Sequence, residues 1–300
     1  MTKKIFITGS TGFVGTNCLN FFKKDFSFTL YNKNENKVIT NEDVVLHFAG
    51  KAHDLKKTFN VKEYYEVNTD LTKTIFSNFL KSNAKVFIFL SSVKAVKDND
   101  IENLTEEIIP NPNTHYGKSK LLAEQYILSE DYREKRVYIL RPCMIHGPNN
   151  KGNLNVLYNY IIKGMPWVLG NYENRRSFCS IDNLCLILNE LINNELIPSG
   201  IYNIADDVPL STNDVIKLIA KTKGIKSNIW FINKILINAM AAFGNILNLP
   251  FNTDKLNKLT DNYVVNTSKI NKYLNKTLLL TSRDGFIKTF QSFSTFEMLL

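Results

Sequence analysis

Apolar and polar positions alternate along this chain in a way that divides it into short strands and longer helices taken in turn. Lys3–Thr8, KKIFIT, is a β-branched and aromatic run that predicts a strand, and Gly9, Gly12 and Gly15 follow it. Helical spacing continues to Phe22, and Phe26–Tyr31 and Asp43–Phe48 repeat the strand pattern. Only Lys37–Thr40 lies between those two strands, so the second strand-helix unit is abbreviated. Tyr64–Leu80 again has helical spacing and carries Asn68 within it. Val86–Leu90, VFIFL, is apolar at every position, the pattern of a central parallel strand covered on both faces, and it opens into Ser91 and Ser92. Asn111–Gln125, NPNTHYGKSKLLAEQ, sets helix formers after two prolines. Strands alternating with helices predict an α/β chain with a doubly wound parallel sheet.

This order turns otherwise weak motifs into a site. A glycine turn between a strand and a helix is the context of a dinucleotide-binding loop. Gly9 permits the tight turn, Gly12 lets the backbone approach a pyrophosphate, and Gly15 lets helix and strand pack closely. The helix N-terminus offers amide donors to the anion. The second strand of such a fold normally ends in an acidic residue that holds the adenosine ribose; here Tyr31, Asn32 and Lys33 stand there, with Glu35 later, so NAD and NADP both stay open. Ligands bind beyond the carboxyl ends of the strands, where Phe48, Ala49 and Gly50, and then Ser91 and Ser92, are expected. On a helix, Tyr116 and Lys120 share one face, about 5–6 Å apart at Cβ. The ammonium favours phenolate, which predicts a Tyr116 pKa drawn down from about 10 towards neutrality. Ser92 would bond the substrate oxygen, Tyr116 exchange its proton, and Lys120 tune the tyrosine and hold the nicotinamide ribose. His47 and His53 are read as structural hydrogen-bonders, and Asn68 as a tie between adjacent strands.

Composition narrows the partners. Three hundred residues suffice for one sizeable core or two unequal lobes. The net charge of +9 comes mainly from dispersed lysine, which suits anionic small molecules. No basic cluster with a recognisable module appears, which excludes nucleic acid as the expected partner. Cys18, Cys143, Cys179 and Cys185 show no metal-ligand spacing, so no metal is expected and a reduced, cytoplasmic protein with buried thiols is. Met1 runs straight into a strand with no signal-peptide pattern. The apolar stretch Ile229–Leu249 is broken by Asn233, Lys234, Asn238, Gly244, Asn245 and Asn248 and reads as an amphipathic helix pair rather than a membrane insertion.

Taken together, TGSTGFVG (8–15), LHFAGKAH (46–53), the Asn68 helix, FLSSVKAV (89–96), YGKSKLLAEQ (116–125), LRPCMIHGP (140–148), RRSFCSIDNL (175–184) and YNIAD (202–206) stand in one order. The chain resembles an extended short-chain dehydrogenase/reductase of the NAD-dependent nucleotide-sugar epimerase/dehydratase group. VNTSKINKYL (265–274) is a weaker echo of the family's C-terminal element. The resemblance implies a Rossmann-type cofactor lobe at residues 1–147 with a returning segment near 182–206. A smaller mixed substrate lobe would take residues 148–181 and 207–300. It implies cofactor contacts at Gly9, Thr11, Gly12, Phe13, Val14 and Gly15, then at Asn32 and Lys33. Further contacts are implied at Phe48, Ala49, Gly50, Asn68, Ser91, Tyr116 and Lys120. Substrate contacts are implied at Ser92, Lys94, Asn153 in the loop 147–155, and Arg176, whose fork suits a nucleotide diphosphate. Arg175 stands beside it. Relatives often dimerise through helices beside the active site, which makes a homodimer the expected assembly.

Departures from the family narrow the reaction. Family 4,6-dehydratases carry Thr-Asp-Glu where Ser92, Val93 and Lys94 stand, and members that epimerise at C3 and C5 use a cysteine where Val93 stands. Hydride and proton exchange at one hydroxyl, C4 of a nucleotide-linked hexose, is what remains. SSVKAV (91–96) and the KGN loop (151–153) resemble a bacterial branch of the family, and that resemblance implies a UDP-linked hexose or N-acetylhexosamine in surface-polysaccharide precursor synthesis. A 4-epimerase is the leading expectation. A 4-ketoreductase of a UDP-4-keto-6-deoxy-hexosamine shares the same residues. A non-catalytic NAD(P)-sensing or partner-binding protein is the alternative of a different class.

Overall fold

The computed structural model of the chain describes residues 2–32, 39–52, 60–150, 152–247, 249, 251–274 and 277–297. The strands and helices of its first half are β1 (Lys4–Thr8), α1 (Phe13–Phe22), β2 (Ser27–Leu30), β3 (Val44–His47), α2 (Val61–Tyr65), α3 (Leu71–Lys81), β4 (Val86–Leu90), β5 (Ile101–Leu104), α4 (His115–Ser129), β6 (Arg136–Pro142) and β7 (Met144–His146). There follow α5 (Asn153–Ile162), β8 (Phe178–Ser180), α6 (Ile181–Asn193), β9 (Gly200–Ile204), α7 (Thr212–Lys223), α8 (Lys234–Ile246), α9 (Thr253–Thr260), β10 (Tyr263–Val265), α10 (Ser268–Asn271) and α11 (Ser282–Glu297). Six strands form one sheet in the order β2-β1-β3-β4-β6-β9, and every pairing in it is parallel. This is the expected doubly wound α/β sheet. Because β1 lies between β2 and β3, the strand order reverses there and opens a crevice beyond their carboxyl ends.

Strand periodicity explains why both faces are covered. Successive side chains on a strand point to opposite faces. Ile5, Ile7, Leu46, Ile88 and Leu140 join a core that includes Cys18 and Phe22 of α1 and Leu184 and Leu188 of α6. Phe6, Val45, Phe87, Phe89 and Ile139 point the other way, into a core with Ile75, Phe76 and Phe79 of α3 and Ala123 and Ile127 of α4. All five residues of β4 are buried, as its unbroken apolar run requires. Each such phenylalanine or isoleucine contributes about 1.5–3 kcal/mol of transfer free energy. Lys33, Glu35 and the start of Lys37–Thr40, the abbreviated stretch between β2 and β3, lie outside the described residues, as does His53.

A third core lies apart from the sheet, among Leu154 and Tyr158 of α5, Trp167, Val215 and Ile219 of α7, Ile237 of α8, and Phe286 and Phe290 of α11. Two short parallel pairs, β5 with β10 and β7 with β8, link the late segments back to the early ones. The expected continuous helix over 64–80 is corrected: a π-helical turn, Glu66–Asp70, separates α2 from α3 and places Asn68 at its centre. The four cysteines are buried free thiols, with Cys18 Sγ 3.4 Å from Cys185 Sγ. No helix among the described residues is long and apolar enough to cross a membrane.

Candidate functional site

At the carboxyl end of β1 the chain turns through Gly9, whose φ of +68° is left-handed; a Cβ there would lie 2.6 Å from Ala49 N. That contact brings the first loop against Phe48 and Ala49 at the end of β3, on the crevice. Gly15 packs on the Gly9 carbonyl, where a Cβ would lie at 2.2 Å, whereas a Cβ on Gly12 would meet only that carbonyl, at 3.2 Å. The roles expected of Gly9 and Gly15 are therefore those of the geometry, and Gly12 keeps one side clear. Gly12 is the N-cap of α1 and offers no side-chain cap, and the first turn holds no acidic residue. The first amides of a helix have no intrahelical partner and favour an anion. Thr11 is exposed, and Phe13 and Val14 are half-buried beside it. This cradle fits the pyrophosphate of a dinucleotide. Asn32 follows the end of β2.

The second half of the site is built where α4 meets the turn after β4. Ser92 caps that turn, its hydroxyl accepting from Lys94 N at 3.2 Å. Asp98 clamps the start of α4: it accepts from Asn113 N at 2.6 Å and from Thr114 Oγ1 at 2.7 Å. Thr114 in turn caps the helix by accepting from Gly117 N at 3.1 Å. Gly117 allows the close approach, since a Cβ there would lie 2.4 Å from the Lys94 carbonyl and 2.7 Å from Pro112. Tyr116 is thereby carried to Ser92, and Tyr64 places its ring 6.4 Å from the phenol ring in an edge-on arrangement. A Gly117→Val variant is expected to hold α4 away from the Ser92 turn and cut kcat/KM by about 10²-fold. Unchanged kinetics in a folded variant would contradict this.

The expected lowering of the Tyr116 pKa is not what the structure shows. Burial raises it, the Ser92 side chain offsets part of the rise, and Tyr64 adds to it. Lys120 is buried and sends its Nζ to the Leu90 carbonyl at 2.8 Å, against the ring of Phe89. Burial pushes the Lys120 ammonium down to about 8, with Glu124 opposing the shift. The folded pKa lies below the ordinary value near 10.5, so the folded chain binds fewer protons than the unfolded one between about pH 8 and 10.5. Stability from this group therefore rises as pH rises through that window, and at pH 7 the buried charge weakens the fold. Lys120→Met is expected to raise Tm at pH 7 by on the order of 5 °C while abolishing turnover. Circular dichroism melts from pH 7 to 10 check it, and a lower Tm at pH 7 would contradict it.

Asn68 ties the loop after β3 to α4, and not two strands as expected. Its Oδ1 accepts from Lys51 N at 2.8 Å, and its Nδ2 donates to Lys51 O at 3.1 Å and to Ser119 Oγ at 2.9 Å. The π-helical turn makes this reach possible by re-aiming one side chain into the sheet's end. Gly50 lies under the same groups, where a Cβ would meet Lys120 Nζ at 3.0 Å. His47 is structural, as expected. Thr72 donates to the Asn68 carbonyl at 2.7 Å, so it must accept from His47 Nε2 at 2.8 Å; Nδ1 then accepts from Thr8 Oγ1 at 2.7 Å. Burial and the Lys120 charge push this imidazole down to about 3, which keeps it neutral.

Glu124, Arg141, Asp98 and Gly117 are the site residues that sequence reasoning missed. Glu124 and Arg141 are fully buried, joined by Arg141 Nη2 at 2.6 Å and Nε at 3.1 Å. Ser91 donates its hydroxyl to Glu124, so the pair fixes the serine that precedes Ser92. Glu124 stands four residues after Lys120, the one signal available in the sequence.

Lys94 and Arg176 come together on the far side of Ser92. The Lys94 ammonium lies 4.5 Å from the centre of the Tyr263 ring, and Arg176 Nη1 donates to the Lys258 carbonyl at 2.9 Å. Burial, and Arg176 beside it, push Lys94 down to about 8, while Asp98 and Asp261 act the other way. Burial likewise lowers Arg176. Asn153 is exposed on the first turn of α5 and has not been brought into contact with these groups.

A family model described as the NAD dependent epimerase/dehydratase family matches residues 27–205. The chain is 28% identical to UDP-glucose 4-epimerase of Vibrio cholerae over 98% of its own length and 96% of that protein's. It is 27% identical to N-acetyl-alpha-D-glucosaminyl-diphospho-ditrans,octacis-undecaprenol 4-epimerase of Escherichia coli O157:H7, over 72% of this chain and 71% of that one. UDP-glucuronic acid 4-epimerase from Bacillus cereus, solved with NAD, shares the fold: the TM-score is 0.73 at 17% identity, over 97% of this chain and 99% of that one.

Proposed function

The chain belongs to the NAD-dependent epimerase/dehydratase family, and from that premise we propose that it is a 4-epimerase of a UDP-linked hexose or N-acetylhexosamine. The observation that carries the reading is the meeting of Ser92, Tyr116 and buried Lys120 at the end of β4, beside the glycine crevice of β1 and β3. Gly9, Gly12, Gly15 and the start of α1 hold the pyrophosphate of NAD, and Lys120, Gly50 and Asn68 border its nicotinamide ribose. A bound nicotinamide supplies the acceptor and donor of the C4 hydride. Ser92 orients the 4-oxygen of the sugar. Tyr116 takes the 4-hydroxyl proton as the C4–H bond breaks and returns it when that bond re-forms on the opposite face. The charged Lys120 favours the phenolate at the moment of transfer.

Residues 1–147 and about 182–206 make up the cofactor lobe of this reading, and 148–181 with 207–300 the sugar-nucleotide lobe. Lys94 and Arg176 hold the substrate's phosphates. A homodimer acting in the cytoplasm completes the reading. Native mass spectrometry of the purified protein tests it: NAD that stays bound supports an epimerase, because the cofactor is regenerated in every cycle. An empty site that turns over only with added NADPH and a 4-keto sugar would replace it by the ketoreductase.

A second reading keeps the chemistry and changes the carrier. The Escherichia coli relative is described as acting on a sugar diphosphate joined to undecaprenol. The exposed apolar face of α8 favours a lipid-carried sugar for this chain too.

A further inference from the structure

Tyr263 belongs to a late segment of the chain, yet both its peptide and its side chain end at the site. It is buried on β10, where its ladder partner is Ile101 of β5. Its backbone brackets Arg176: Tyr263 N donates to the Arg175 carbonyl at 2.8 Å, and the Tyr263 carbonyl accepts from Ser177 N at 2.9 Å. Arg176 N donates to the Leu210 carbonyl at 2.9 Å. The place of Arg176 is thus set by Tyr263 on one side and Leu210 on the other.

The side chain runs the other way, into the turn that Ser92 caps. The phenol oxygen lies 2.6 Å from the Lys97 carbonyl and 3.2 Å from the Val93 carbonyl. Both carbonyls can only accept, so the phenol donates. Burial pushes its pKa up, which keeps that proton in place. The Val93 carbonyl also closes the turn, accepting from Val96 N at 3.0 Å and Lys97 N at 3.3 Å. Ala95 N bonds the Ser92 carbonyl at 2.9 Å, so the same turn fixes the serine. The ring of Tyr263 lies under the Lys94 ammonium.

One residue therefore joins the two ends of the substrate site. We propose that Tyr263 is a positioning residue, which locks the Ser92 turn to the segment that carries Arg176. The nucleotide diphosphate and the reacting hydroxyl are then held in one fixed geometry, and Tyr263 reaches the chemistry only through Ser92. The argument for an effect on rate is one of distance: a reacting group displaced by about 1 Å costs on the order of 10²-fold. Without the phenol, the turn from Ser92 to Lys97 keeps its own internal bonds and loses its tie to the sugar-nucleotide lobe. The inference deepens the 4-epimerase reading and rests on it.

Tyr263→Phe tests it, because the variant loses the hydroxyl and keeps the ring under Lys94. With UDP-N-acetylglucosamine or UDP-glucose, whichever is turned over, kcat is expected to fall about tenfold and KM to stay within about twofold, since Lys94 and Arg176 remain. Added to Ser92→Ala, the same substitution is expected to change kcat by less than about twofold, because the group it positions is gone. A merely structural role would cost the same factor in both backgrounds. That result, or a parent-like kcat in Tyr263→Phe, would overturn the proposal. Amide hydrogen exchange followed by nuclear magnetic resonance is a second measurement and needs no turnover. The Val96 and Lys97 amides are expected to exchange about tenfold faster in Tyr263→Phe, while Phe87 and Ile88 of β4 keep the parent's protection and show the fold intact. Equal protection of Val96 and Lys97 in the two proteins would overturn the proposal as well. A parent that epimerises neither sugar overturns the 4-epimerase reading, and the exchange result then decides the tie between Tyr263 and the turn by itself.

Discussion

Tyr116→Phe is expected to lower kcat by about 10²–10⁴-fold with fold and cofactor binding intact. The substitution removes one oxygen. The ring keeps its edge-on contact with Tyr64, the helix keeps its Thr114 cap and its Asp98 clamp, and Lys120 keeps the Leu90 carbonyl. What goes is the phenol oxygen on α4 that bonds the Ser92 side chain and can take and return a proton. The loss should fall on kcat rather than on KM, because proton exchange belongs to the transition state and not to sugar binding. A variant that turned over normally would remove Tyr116 from the mechanism and leave the sensing or partner-binding class standing.

Arg141→Met carries the second large effect, on stability. Arg141 and Glu124 are both fully buried, and the arginine supplies three of the short contacts to the carboxylate. Taking away one partner leaves an uncompensated charge in the core, at a cost of about 3–5 kcal/mol. Glu124→Leu added to Arg141→Met should recover most of that, because an apolar pair of similar volume needs no compensation. The pair also anchors Ser91, so the double variant should regain stability and still lose activity. Urea denaturation of the single and double variants, read as a double-mutant cycle, measures it. A double variant no more stable than Arg141→Met would contradict the account.

The lesson for sequence reading lies in which residues were found. Gly9, Gly15, Ser92, Tyr116 and Lys120 were legible because each sits at a fixed distance from a strand end or along one helix, where local spacing determines place. The parallel sheet was legible for the same reason: Val86–Leu90 has no polar position to face water. Asp98, Gly117 and Arg141 were not. They matter through tertiary contacts, with the start of α4, with the Lys94 carbonyl and with Glu124, that no spacing encodes. The Tyr116 pKa failed differently: an i,i+4 lysine argues for lowering, and the burial that outweighs it exists only once α2, α4 and the Ser92 turn have met. Ile229–Leu249 reads as an amphipathic helix pair, and the fold corrects this to one helix, α8, of which only Ile237, Ala241 and Gly244 are buried. Asn153 shows the converse, a motif position that the fold leaves exposed.

The central claim is that Ser92, Tyr116 and Lys120 invert one carbon by taking hydrogen from C4 and giving the same hydrogen back. The direct measurement is nuclear magnetic resonance of UDP-N-acetylglucosamine and UDP-glucose, each deuterated at C4, incubated with the purified chain and no added cofactor. The account predicts that the 4-epimer of one of them accumulates to equilibrium with deuterium still on C4, and that Tyr116→Phe forms it at least 10²-fold more slowly. An epimer that has exchanged its C4 deuterium for solvent hydrogen would contradict the account, as would equal rates in the two proteins.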